Sequence, residues 1–157
     1  MVFQPIFAIF IVKHATREVL HVDVTRTSTD RWVTQQLREA TPFGQGPKFL
    51  IRDNDGKFGA QFAAVAEGSA IEVLRIPPRC PNLNAICERY LGSLRRECLD
   101  HIIILSESHL RRVLDEYVRV YFNKARSRQG LSQRIAAGHA MGPPGAGCDN
   151  VFGLPVL

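Results

Sequence analysis

Two acidic positions carry the chemistry that this chain suggests. Asp53 lies in Ile51-Arg52-Asp53-Asn54-Asp55-Gly56-Lys57-Phe58, where an acidic turn follows an apolar run. Glu88 lies in Pro81-Asn82-Leu83-Asn84-Ala85-Ile86-Cys87-Glu88-Arg89, 35 residues further on and one turn into a basic helix. Carboxylate oxygens are hard ligands that hold Mg²⁺ while leaving coordination positions for water and phosphate. Two such ions roughly 4 Å apart activate an attacking oxygen and stabilise a leaving one. Carboxylates on two rigid elements, ringed by Arg and Lys, therefore suit metal-dependent chemistry on a phosphodiester. Taken alone, Asp53-Asn54-Asp55-Gly56 reads first as turn chemistry, because Asx side chains bond their own backbone and Gly supplies positive φ. Glu88 shifts the balance. At helical spacing it shares a face with Gly92, Arg95 and Arg96, so an acid, a position without a side chain and two guanidinium groups form one stripe. DNA backbone could then come close at Gly92 while the arginines bind phosphate. A solvated helix face with an ordinary Glu–Arg pair is the alternative.

The elements that must position these residues read clearly. Ile6 to Val12 is continuously apolar, as in a strand buried on both faces. Glu18 to Thr25 alternates, with Val19, His21, Asp23 and Thr25 on one face and Leu20, Val22 and Val24 on the other, which completes a hairpin. Ser28 or Thr29 can cap a helix running to about Ala40. After a break at Pro42 to Pro47, the short strand Phe49-Leu50-Ile51 delivers Asp53 at its carboxyl end, a usual place for a ligand-binding carboxylate. A helix over Ala60 to Ala66, a strand over Ile71 to Ile76 and an irregular loop at Pro77 to Pro81 follow. Helices are expected from Asn84 to Cys98 and from Ser106 or Glu107 to about Lys124. The stretch from Gly138 to Gly147 is rich in Gly and Pro and reads as a linker or tail.

Composition narrows the partners. The 157 residues are 45% hydrophobic, enough for one domain with a core. No apolar run reaches the roughly 18 residues of a membrane span, and the start has neither signal nor transit character. Cys80, Cys87, Cys98 and Cys148 form no C-x-x-C pair, and free thiols in a reducing, cytoplasmic setting are expected. A net charge of +5 favours a polyanionic partner. Arg111, Arg112, Arg119, Lys124, Arg126, Arg128 and Arg134 make a basic run after the acidic site, as a nucleic-acid footprint would.

Taken together, Phe49 to Phe58 and Asn84 to Glu97 resemble the integrase core of retroviral integrases and bacterial insertion-sequence transposases, members of the ribonuclease H-like superfamily. The resemblance runs from about Phe3 to Leu131. It implies an α/β fold, a ribonuclease H-like mixed sheet flanked by helices, with residues 1–135 as the core and 136–157 as a Gly/Pro-rich tail. It maps the second catalytic Asp of the family to Asp53 and the catalytic Glu to Glu88, both also as ligands of Mg²⁺ or Mn²⁺ in a two-metal site. Asp55 is the other register, less favoured because the family places its Asp five residues before the Phe, here Phe58. Lys57, Arg89, Arg95, Arg96, Arg126 and Arg128 are the expected DNA contacts. DNA, as transposon ends and target, is the expected partner of a homo-oligomer that is cytoplasmic and nucleoid-associated. The first Asp of the family sits on an opening, central strand that the sequence from Met1 is expected to lack; Asp23, near by, is not expected to replace it. The expectation is thus a core for DNA integration and transposition that is inactive alone, or a non-catalytic DNA-binding or assembly remnant.

Overall fold

The computed structural model describes residues 4–42, 46–53, 55–76, 85–126 and 151–154, and the backbone alone at 127–128 and 134–135. The loop expected at 77–81 and the Gly/Pro-rich stretch 138–147 lie outside the described residues. In chain order the elements are β1 (Phe7–Lys13), β2 (Val19–Thr25), α1 (Asp30–Ala40), β3 (Phe49–Arg52), α2 (Ala60–Gly68), β4 (Glu72–Arg75), α3 (Ala85–Glu97), α4 (Glu107–Glu116), β5 (Ser127–Arg128), β6 (Arg134–Ile135) and β7 (Val151–Leu154). A 3₁₀ turn, Leu99–His101, follows α3, and a π-helix, Tyr117–Phe122, continues α4. No helix among the described residues is long and apolar enough to cross a membrane.

The main sheet has five strands in the order β2-β1-β7-β3-β4. β1 is antiparallel to β2 and β7, while β3 is parallel to β7 and β4. Period-two alternation explains the two cores. Ala8, Phe10 and Val12 face α3 and α4, packing with Tyr90, Leu94, Leu114 and Phe122. Ile9 and Ile11 face α1 and α2 with Val33, Leu37, Leu50 and Phe62. The uniformly apolar β1 is thus covered on both sides, as the sequence implies.

Three features differ from the sequence expectation. First, the alternation in β2 breaks at a bulge: Ile11 pairs with His21 but Val12 with Val19, which skips Leu20. Leu20 is left 39% exposed, and Val19 joins Val24 in the core, since a one-residue slip swaps faces. Second, the last long helix changes from α to π at Tyr117. This brings Asn123 to the edge strand, where its Oδ1 accepts from the N–H of Val19 at 3.0 Å and its Nδ2 donates to the carbonyl of Val19 at 2.8 Å. Arg111 Nη2 donates to the carbonyl of Val24 at 2.6 Å, so two side chains cover the open edge of β2.

Third, the centre of the sheet is not vacant. The sequence leaves β1 and β3 without the neighbour expected between them. The structure puts β7 there, from the stretch 136–157 expected to be a tail. All four β7 residues pair with β3, Val151 with Phe49 through Leu154 with Arg52. Phe152 and Leu154 enter the α1/α2 core. Pairing and burial, not local pattern, make this segment a strand.

Candidate active site

Asp53 emerges where β3 ends, and Glu88 lies in the first turn of α3, where the helix dipole favours a carboxylate. Helix periodicity sets the exposure of α3. Cys87, Tyr90, Ser93 and Leu94 are buried, while Glu88, Arg89, Arg95 and Arg96 are exposed. Cys87, buried at the start of α3, feels the charge of both acids. Burial first, then the charges of Glu88 and Asp53, push its thiol up to about 12, opposed by Arg17. Neither Asp53 nor Glu88 forms an ion pair with a described residue.

Asp55 is differently engaged. Its Oδ1 accepts the N–H of Lys57 at 3.2 Å, and its Oδ2 lies 3.1 Å from Lys57 Nζ. Partial burial pushes its carboxyl up, but the Lys57 hydrogen bonds and charge outweigh this and hold it below the ordinary value. Lys57 also sits 4.6 Å over the Phe7 ring. Asp53 Oδ1 accepts the N–H of Asp55 at 3.4 Å, a weak turn bond that leaves its other oxygen available.

β7 runs beneath this site. A Cβ on Gly153 would lie 2.5 Å from Cys87 Sγ and 2.9 Å from His14 Nε2, so only glycine lets the strand pass under the start of α3. His14, just after β1, is held below its usual range by burial and then by Arg17. Asp23 stands apart. It is on edge strand β2, separated from β3 by β1 and β7, hence roughly 14 Å away at strand spacing. It pairs with Arg111 at 3.1 Å.

The expected DNA contacts fall into two groups. Arg89 and Arg96 have no carboxylate partner among the described residues, and Arg95 reaches Asp100 only at 3.8 Å with both groups well exposed. The Arg96 guanidinium lies over Gly92, with Nη1 3.1 Å from where a Cβ would stand. The bare position on α3 is therefore covered by an arginine directed towards the Glu88 end. Arg126, by contrast, is committed within the fold. Its Nη2 donates to Glu97 Oε1 at 2.7 Å and to Ser93 Oγ at 3.0 Å, while Tyr117 donates its hydroxyl to Glu97 Oε2 at 2.9 Å. The backbone of Arg128 pairs with Arg134 in β5–β6, and its side chain lies outside the described residues. Sequence reasoning missed the Glu97–Arg126–Tyr117 network, whose partners are 20 and 29 residues from Glu97.

Among the described residues no group of three or more His, Cys, Asp and Glu can hold a metal ion. The donors present still fit a hard divalent cation. Asp53 and Glu88 offer carboxylate oxygens with no ion-pair partner among the described residues, and Cys87 stays a thiol and adds no soft donor.

Comparison with known proteins agrees with this architecture. Residues 69–134 match the sequence family described as integrase core domain. The chain is 30% identical over 112 residues to the insertion element IS476 uncharacterized 39.2 kDa protein of Xanthomonas euvesicatoria. That match covers 71% of this chain and 32% of the relative, so the chain spans about a third of the curated relative's length. A chain of the simian T-cell lymphotropic virus intasome superposes with a TM-score of 0.66 at 17% identity, over 87% of this chain and 49% of the other. The catalytic core domain of BIV integrase superposes with a TM-score of 0.52 at 18% identity, over 82% of each chain. Residues 69–134 thus match the integrase core domain family, and the chain has the fold of integrase catalytic cores.

Proposed function

We propose that the chain serves DNA integration or transposition as the catalytic-core portion of a transposase, with Asp53 and Glu88 as catalytic residues and metal ligands. The observation that supports this most is a pair of carboxylates with no ion-pair partner among the described residues, both of whose charges act on Cys87, beside an exposed arginine face. A divalent ion, Mg²⁺ or Mn²⁺, would supply activation of water or a 3′-hydroxyl and stabilise the leaving oxygen when bound. The chain's own part is positioning. β3 and α3 fix the two carboxylates, and Arg89, Arg95 and Arg96 bind backbone phosphates. Lys57 adds charge at the turn, and Arg126 contributes by holding α3 to the segment after the π-helix. DNA, as transposon ends and target, is the partner, and an intracellular, nucleoid-associated setting follows from it. Homo-oligomerisation belongs to the same reading, with Ile103 (83% exposed) and Leu105 (81% exposed) presented between α3 and α4.

A second reading, a non-catalytic DNA-binding or assembly module, is favoured by the lack of a third carboxylate beside Asp53 and Glu88 among the described residues. One experiment separates the two. Mn²⁺ titration of wild type, of the Asp53→Asn/Glu88→Gln double variant and of Asp55→Asn should show binding lost in the first variant and kept in the second. Metal-dependent nicking of DNA by wild type then supports catalysis. Equal loss in Asp55→Asn would move the assignment to the Asp55 register, and metal-independent DNA binding with no nicking would support the module.

A further inference from the structure

Arg52 is the one charged side chain in the core among the described residues, with 4% of its surface exposed. Its partners do not compensate its charge. Nη1 donates to the backbone carbonyl of Asp53 at 2.9 Å, the guanidinium stacks 4.8 Å from the Phe58 ring, and the buried Nε has no hydrogen-bond partner. No described carboxylate lies within ion-pair distance of it. Its neighbour across the parallel ladder is Arg75, a second cation on the same face. Elsewhere the fold gives the partly buried Arg126 an acid, Glu97. A buried cation facing another cation is costly unless an anion joins them.

We propose that Arg52 and Arg75 form a phosphate-binding site at the carboxyl ends of β3 and β4, which takes a backbone phosphate of a nucleic-acid strand. Two guanidinium groups present the forked donors that suit a phosphodiester. The carboxyl ends of parallel strands are where α/β sheets bind ligands. The choice of nucleic acid over free phosphate rests on the function proposed above, because Arg52 immediately precedes Asp53 and the site would hold a strand at the same end of the sheet.

Arg75 is exposed and can be changed without disturbing the core. Thermal unfolding with and without inorganic phosphate should show stabilisation of wild type that is reduced in Arg75→Gln and retained in Arg38→Gln, an exposed control on α1. Affinity for a short single-stranded oligonucleotide should fall about tenfold in Arg75→Gln, as for one lost charge-assisted contact, and its salt slope should drop by about 0.7. Arg52→Lys keeps the charge, loses the fork and should weaken binding if it folds. Equal effects of Arg75→Gln and Arg38→Gln would overturn the site. Phosphate stabilisation with unchanged oligonucleotide affinity would overturn the nucleic-acid assignment. Mn²⁺ binding through Asp53 and Glu88 is read separately. Normal metal binding with no Arg75 effect defeats this site alone, whereas an Arg75-dependent phosphate effect without metal binding supports it and defeats the catalytic reading.

Discussion

At the scale of single residues, similar acids have different work because their surroundings differ. Asp53 and Asp55 are two residues apart, yet Lys57 engages only Asp55 with an ion pair. The motif spacing favoured Asp53, and under the proposed function a carboxylate already holding an ammonium group is the poorer ligand. Cys87 shows the same principle in reverse. Burial, and then the charges of Glu88 and Asp53, pushes its pKa up to about 12. Since the thiolate is the reactive form, alkylation by iodoacetamide at pH 7.5 should be negligible for Cys87 in the folded protein. Labelling should become rapid only in denaturant, with mass spectrometry locating the modified residue. Fast labelling under native conditions would mean that the sulfur is not buried in the folded protein.

At the scale of elements, helix ends were legible where a short local motif sets them and hidden where a distant group does. Thr29 caps α1 by accepting the N–H of Trp32 at 3.2 Å, a signal plain in Ser28-Thr29. The cap of α2 comes from another helix. Gly59 offers no side chain, and Asp30 in α1 accepts the N–H groups of Gly59, Gln61 and Phe62 at 3.1, 2.9 and 3.0 Å. No window along the sequence joins residues 30 apart. Desolvation pushes the Asp30 carboxyl up, but these backbone donors and Thr34 outweigh it and hold it below its ordinary 3.8. Because the folded pKa is depressed, the stabilisation is present above pH about 3.8 and is lost as pH falls through the lower folded value. Asp30→Ala should cost about 1 kcal/mol at pH 7, the usual value of a lost cap. Urea melts at intervals from pH 7 to 2.5 should show that gap closing below pH 4, and a gap independent of pH would exclude the carboxylate as its source.

The same locality explains the π-helix. Tyr117 to Phe122 has the apolar periodicity of an ordinary helix, so the sequence predicts α-helix through Lys124. The wider turn puts Tyr117 and Arg126 on Glu97, and Asn123 on Val19. Those long-range bonds are absent from any local pattern.

At the scale of the whole molecule, the sheet is assembled from the two ends of the described chain. The hairpin, the strand bearing Asp53 and the helix bearing Glu88 were readable because each has a strong local period or motif. β7 was not. Val151-Phe152-Gly153-Leu154 is four residues long, contains a glycine and follows a Gly/Pro-rich stretch, so nothing local marks it as a strand. Its strand character comes from parallel pairing with residues about 100 positions earlier.

This placement predicts that β7 is integral to stability. Without it, β1 and β3 would present unpaired backbone along a buried seam, and Phe152 and Leu154 would leave the core shared with Leu50 and Phe62. Phe152→Ala should cost about 3 to 5 kcal/mol, a large part of the stability of a domain this size. Gly153→Ala should also destabilise, because its methyl group would meet Cys87 Sγ and His14 Nε2. Combined with Cys87→Ala, the Gly153→Ala change should cost less than it does alone, since the shorter side chain opens the space. Deleting residues 151–157 should lower the melting temperature sharply, raise dye binding to exposed apolar surface and favour aggregation through the opened strand edges. If the deletion leaves a cooperative transition at the same temperature, and Gly153→Ala is as costly with Cys87→Ala as without it, then β7 does not occupy the centre of the sheet. The gap between β1 and β3 would in that case have to be closed by direct pairing or by a second copy.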